Sequence, residues 1–146
     1  MALVADLEGW WEGGEHVQIA LGAGDRTIFL RTDGRGPSMT LLHGFPSSSH
    51  DWARLAAALG ETHSLLMPDF LGFGASEKPA GHRYSLLEQA DLVEAIWARC
   101  GIVSTKIVAH DYAVSVAEEL LARRAEGVLA VELEEVHLLN GGIYPG

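Results

Sequence analysis

The sequence predicts an α/β fold, with a mainly parallel sheet, helices on both faces and an antiparallel hairpin at the N-terminal end. Three observations carry this. After the first two β-rich runs, the pattern order is strand, helix, strand, loop, helix, strand, helix, strand, which suits parallel strands joined by covering helices. The two opening runs, within residues 15–31, are separated only by Gly-Ala-Gly-Asp, a hairpin spacing. Thr105 to Leu121 then reads as a strand, a very tight turn and a helix, with Asp111 at the apex.

Taken in order, Trp10 and Trp11 precede the hairpin, and an aromatic pair there is expected to clasp the sheet edge or core. Ser38 to Leu42 is a short apolar strand that stops at His43-Gly44-Phe45-Pro46, with a serine-rich helix start beyond it. Trp52, Leu55, Ala56 and Leu59 keep helical spacing until Gly60. His63 to Met67 reads as a buried strand bounded by Pro68 and Asp69, and a glycine-punctuated loop follows to Ser76. Ser85 and Glu88 form a capping box in which Glu88 is expected to reach back to the helix start. Ala90, Val93, Trp97 and Cys100 continue one apolar face to Gly101, which places Cys100 as a buried, unreactive thiol. Past the elbow, Val114, Ala117, Leu120 and Leu121 form a buried helical face, while Glu119 and Arg123 sit at i and i+4 on a face read as solvated. Val128 to Leu139 is a further strand, ending at Asn140-Gly141-Gly142.

Composition narrows the function classes. At 146 residues the chain suits one domain, 1–146, and 48% hydrophobic with 21% charged residues suits a globular protein. A formal charge of −10 repels a phosphate backbone and anionic membrane surfaces alike, so neither nucleic acid nor membrane is an expected partner. No apolar run reaches membrane-spanning length, and the acidic N-terminus lacks a signal-peptide pattern, so the expected location is cytoplasmic. One cysteine without metal-ligand spacing gives neither an internal disulfide nor a metal site. Gly72-Phe73-Gly74 lacks the third glycine and the Lys-Ser/Thr pair of nucleotide loops, so no cofactor is expected.

The chemistry concentrates at one edge. In a parallel sheet of this kind, sites lie outside the carboxyl ends of the strands, where the sequence places His43-Gly44, Asp69, Asp111 and Asn140-Gly141. Ala109 and Ala113 supply the small residues that a nucleophile elbow needs two positions either side of its reactive side chain. An aspartate there can attack carbon and form an ester. Its ordinary alternative is an N-cap, whose oxygen accepts N–H groups of the first turn. The backbone N–H groups of Phe45 and Tyr112 could together face one developing oxyanion. His110 is expected to point away from the reacting centre in a supporting role, and His43 to order its turn by hydrogen bonding.

LLHGFPSSSHDW, PDFLGFGASEKP, YSLLEQA, AHDY and LNGGIYP, in this order, resemble the α/β-hydrolase family from about Glu15 onward. The resemblance is to its branch with an aspartate nucleophile, which includes epoxide hydrolases and haloalkane or fluoroacetate dehalogenases, and within it to the mesoderm-specific-transcript subgroup. Phe45 and Tyr112 stand where haloalkane dehalogenases usually carry Asn and Trp, which makes the pattern closer to epoxide hydrolases. The resemblance implies that Asp111 is the nucleophile, that Phe45 and Tyr112 form the oxyanion hole, and that His43, Gly44, Pro46, Asp69, His110 and Asn140 support them. A small apolar substrate is implied. Val114 departs from the pattern, since family elbows carry a glycine or very small residue there.

The family also implies a His base, an orienting acid and a helical cap, all later in the chain. After Asp111 there is no further Asp, and the one His, His137, lies within a strand. The sequence therefore reads as the N-terminal half of a hydrolase core, strands 1 to 6, without a cap, and its sixth strand is expected at an open sheet edge. The competing expectation is an inactive module that dimerises or pairs with a complementing C-terminal fragment.

Overall fold

A computed structural model describes residues 6–142. Its centre is a six-stranded sheet in the order β1-β2-β4-β3-β5-β6. The strands are β1 (Glu15–Leu21), β2 (Gly24–Gly34), β3 (Ser38–Leu42), β4 (Ser64–Pro68), β5 (Ser104–His110) and β6 (Glu132–Leu139). The hairpin β1–β2 is antiparallel, β2 joins β4 antiparallel, and β4, β3, β5 and β6 run parallel to one another. This is the expected architecture, with a parallel half and an antiparallel front.

The two-residue period of the strands sorts the core into two layers. On one face Leu42, Leu66, Ile107 and Ala109 pack beneath α3 (Leu86–Arg99) and α4 (Tyr112–Ala125), against Trp97, Val116 and Leu120. On the other, Met39, Leu41, Leu65 and Met67 meet Trp10 of α1 (Leu7–Glu12) and Trp52 and Ala56 at the start of α2 (Ala53–Leu59). Helices thus cover both faces.

The clasp at the N-terminus is asymmetric. Trp10 is buried, donates from Nε1 to Ser49 Oγ at 3.0 Å, and lies under the Arg31 guanidinium, 4.2 Å from its ring centroid. Trp11 is exposed, because the short α1, which periodicity did not reveal, turns only one of the pair inward.

Other expectations are corrected. Leu55 is 47% exposed, because a helix of seven residues has one narrow buried face, held by Ala53 and Ala56. Cys100 is exposed at the end of α3, where the apolar face has run out; partial burial pushes its thiol pKa up, which leaves it mostly protonated. Ser85 caps α3 as expected, accepting from the Glu88 N–H at 3.1 Å. The Glu88 carboxylate does not complete the box; it takes His82 Nε2 at 2.7 Å. Nor is the Arg123 face simply solvated. Arg123 reaches Glu119 on its own helix and Asp91 and Glu94 on α3, tying the two helices together. The last strand begins at Glu132 rather than Val128, which is exposed. It lies at the sheet edge, with Leu138 and Leu139 exposed.

Candidate active site

The site forms where β3, β4 and β5 end. β5 runs straight into α4 with one residue between them, Asp111, at φ 54° and ψ −115°. A non-glycine residue there is strained by about 1–3 kcal/mol, and the surroundings hold it in place. The Asp111 N–H donates to Leu139 O at 2.9 Å, so the end of β6 fixes the turn from one side. The carboxylate makes no side-chain cap to α4. It accepts instead from the Phe45 N–H at 2.9 Å, across 66 residues of chain. Hydrogen bonds from the Phe45 and Tyr112 N–H groups hold its pKa below the ordinary carboxylate value, with a smaller contribution from the charge of His110.

Gly44 permits this approach. A Cβ at Gly44 would stand 2.7 Å from Asp111 Cβ and 3.1 Å from His110 O, so only glycine lets the β3 turn close on the elbow. The Phe45–Pro46 peptide bond beside it is cis.

His43 orders the same turn from beneath. It is fully buried, its Nδ1 lies 2.8 Å from Gly44 O, and its Nε2 accepts from the Phe70 N–H at 3.0 Å. These two bonds fix a neutral ring protonated on Nδ1, and burial lowers its pKa. Asp69 is likewise buried and fully engaged, accepting from Ser49 N at 2.7 Å and Ala75 N at 2.8 Å. It braces the loops after β3 and β4 and has no free oxygen to offer a reacting group. His110, half-buried at the end of β5, presses its carbonyl toward Gly44. Asn140, just past β6, has φ 52° and forms the bend after the strand that holds Asp111.

Three residues take roles that the sequence did not assign to them. Gly141 solves the Val114 problem: a Cβ at Gly141 would fall 2.3 Å from Val114 Cγ1, so the bulk missing from one position occupies the other. Gln89, on the buried face of α3, accepts from Leu71 N at 3.1 Å and donates to Leu71 O at 2.9 Å, and also hydrogen-bonds the Tyr112 side chain. A polar residue interrupting an apolar helical face was the available signal. Tyr84, which the sequence shows only within the stretch YSLLEQA, lines a groove with Phe45 and Tyr112.

That groove has a volume of about 480 Å³, within the usual range for small-molecule sites, and is lined by Phe45, Pro46, Phe73, Tyr84 and Tyr112 among others. Phe73 ties its aromatic wall together, at 6.1 Å from Phe45, 5.4 Å from Tyr112 and 5.3 Å from His43. His137 does not join the site. It is exposed on β6 and pairs with Glu135 at 3.0 Å. Among the described residues no cluster of His, Cys, Asp and Glu suits a metal ion, and no helix is long and apolar enough to cross a membrane.

A parallel sheet ending in a strand–aspartate–helix elbow, faced by backbone N–H donors, defines a hydrolase-type core. Residues 37–135 match the alpha/beta hydrolase fold family, and the chain belongs to it. It is 44% identical over 135 residues to LipZ of Mycobacterium tuberculosis, covering 92% of this chain and 45% of LipZ. It is 43% identical over 111 residues to the mesoderm-specific transcript homolog protein of Bos taurus, covering 73% of this chain and 33% of that protein. The crystal structure of haloalkane dehalogenase DbeA from Bradyrhizobium elkani superposes with a TM-score of 0.75 at 29% identity, covering 88% of this chain and 41% of that one. Other dehalogenases and epoxide hydrolases are also among the similar proteins. The chain spans less than half the length of these relatives.

Proposed function

We propose that this chain carries the nucleophile half of a hydrolase that acts on small apolar epoxides or halides through an ester on Asp111. One observation carries the reading: Asp111 holds a strained backbone at the elbow, yet apart from the adjacent Tyr112 N–H its carboxylate makes no cap to α4 and accepts from the distant Phe45 N–H. A purely structural aspartate would relax into the cap. Its lowered pKa keeps it ionised as a nucleophile at neutral pH.

In the first step an Asp111 oxygen attacks the substrate carbon and the C–O or C–halogen bond breaks, leaving alkoxide or halide. The alkoxide takes a proton from solvent or from an acid in the rest of the site. In the second, water gives a proton to a base and adds to the Asp111 ester carbonyl, and the Phe45 and Tyr112 N–H groups meet the resulting oxyanion. Its collapse breaks the ester C–O bond, releasing the alcohol product and restoring the Asp111 carboxylate. Activating that water needs a base, which would come from outside residues 1–146, since His43 is committed to two hydrogen bonds and His137 is paired with Glu135 on β6.

Because attack needs no base, the chain itself tests the first step. Incubation with a reactive epoxide followed by intact-mass measurement is expected to add one epoxide mass to the wild type and none to Asp111→Ala. No adduct, or an equal one on the variant, would overturn the reading. A second reading, a non-catalytic module that joins another polypeptide, is favoured by the exposed Leu138 and Leu139 on the edge strand β6. Sedimentation of the pure chain separates a monomer from a dimer, and addition of a cap-plus-C-terminal fragment from a relative tests complementation.

A further inference from the structure

Tyr84 is 44% exposed although it sits immediately before a well-capped helix, and its ring is held from behind on two sides. One side is Gly72: a Cβ there would lie 2.6 Å from Tyr84 Cε1, so the ring rests on glycine backbone. The other is His82, whose ring meets that of Tyr84 edge-on at 4.9 Å and 78°. His82 is itself anchored by Glu88, the carboxylate that forgoes closing the capping box. Both side chains of that pair are largely buried, at 13% and 16% exposure. The Glu88 half of the capping box is thus turned to His82, beside a partly exposed aromatic ring, while Ser85 still caps the helix.

The free surface of that ring lines the groove. Phe45, 66% exposed, and Tyr112 line the same groove, and Phe73 contacts the rings of both. Phe45 and Tyr112 are the two residues whose N–H groups hold the Asp111 carboxylate. A molecule seated among these rings therefore touches the two residues whose backbone N–H groups hold the nucleophile. Ring faces are electron-rich and ring edges electron-poor, so a slot of fixed aromatic walls favours a flat aryl group over an alkyl chain of equal area.

We propose that Tyr84, positioned by the His82–Glu88 pair, makes this groove an aryl-selective subsite, so that the preferred substrates carry a phenyl-sized planar group next to the reacting carbon. The aryl preference follows from the rings alone; that the bound group reacts rests on the Asp111 reading above.

The test uses unreactive probes first. The 146-residue chain is titrated with 1-phenyl-1,2-ethanediol and with 1,2-hexanediol, with backbone amide shifts as the readout. The phenyl diol is expected to bind roughly tenfold more tightly, with shifts centred on Gly72, Phe73 and Tyr84. Tyr84→Ala should reduce the preference to about twofold or less, Tyr84→Phe should keep it, and His82→Ala should lower it without altering the fold. If Tyr84→Ala does not fold, Tyr84→Leu keeps the apolar bulk without the ring and serves in its place. Equal binding of the two diols, an undiminished preference in a folded Tyr84→Ala or Tyr84→Leu chain, or shifts mapping elsewhere would each overturn the subsite. The same chain is then exposed to styrene oxide. Phenyl diol binding without any covalent adduct would sink the Asp111 reading and leave the subsite standing, whereas an adduct with no aryl preference would do the reverse.

Discussion

The Phe45 N–H donates to Asp111 Oδ1 at 2.9 Å, joining the end of β3 to the end of β5 at the one residue that separates strand from helix. This bond, with that of Tyr112, stabilises the charged carboxylate, so the folded pKa lies below the ordinary 3.8. A depressed carboxylate pKa keeps the group ionised from neutral pH down through 3.8, and ionisation is lost only as pH falls through the folded value. The rate of adduct formation with a reactive epoxide is therefore expected to stay level from pH 8 to about 5, then to fall at lower pH than for a free carboxylate. A rate that drops with a midpoint near 6 would contradict this environment. Asp111→Asn should abolish the adduct while leaving thermal stability within about 1 kcal/mol, since the amide keeps the size and the acceptor oxygen.

Gly44→Ala places a methyl 2.7 Å from Asp111 Cβ, against backbone-anchored atoms rather than a flexible tip. The turn and the elbow must separate, which breaks the Phe45 bond. The expected cost is about 1–3 kcal/mol by denaturant unfolding, with loss of most adduct formation in the protein that remains folded. Unchanged labelling would mean that the Phe45 donor is dispensable.

The sequence alone could disclose the elbow and the sheet because both rest on local pattern: β-formers, small residues at fixed offsets, and apolar periodicity. His43 as an ordering residue was legible for the same reason, as part of a turn. What stayed hidden depends on distant partners. Nothing local says that Glu88 would choose His82 over its own helix start, that Arg123 would gather carboxylates from α3, or that Gly141 would make room for Val114. Leu55 and Trp11 are exposed because short helices have a buried face too narrow for periodicity to resolve. The sheet edge at β6 followed from strand order; its exposed leucines show that burial stops there.

His43 predicts a pH effect on stability. Burial lowers its folded pKa below the ordinary 6.5, so the unfolded chain takes up a proton first as pH falls. Stability from this group is fully present above pH 6.5 and is lost as the pH drops through the folded value. Between pH 7.5 and 5 the wild type should lose more melting temperature than His43→Gln, whose amide does not titrate. The variant should itself be about 1–3 kcal/mol less stable at pH 7.5, since the Phe70 N–H and Gly44 carbonyl depend on His43. Parallel pH profiles for the two proteins would show that the ring is not held neutral.

Arg123→Ala removes the cation shared by Asp91, Glu94 and Glu119, whose side chains are 55%, 27% and 28% exposed. Solvent screens such half-exposed partners, so the loss is expected at about 1–2 kcal/mol rather than the larger cost of a fully buried network. The deficit should shrink in 1 M salt, where repulsion among the three carboxylates is screened. A salt-independent deficit would point to lost packing of the arginine stem instead.

The Val114–Gly141 pair offers a test of how the elbow tolerates a branched residue. Gly141→Ala drives a methyl to 2.3 Å from Val114 Cγ1 and 2.7 Å from its Cβ. That collision is expected to push the segment after β6 outward and to loosen the Asp111 N–H bond to Leu139 O. Val114→Ala alone opens a small void beneath Gly141 and should cost about 1 kcal/mol. Combined, the two changes refill one another's space, so the double variant should be more stable than the sum of the single losses by about 1 kcal/mol or more. Chemical denaturation of the four proteins measures the coupling. Additive losses would mean that Gly141 serves its backbone bend alone, and that Val114 and the β6 terminus hold the Asp111 turn independently.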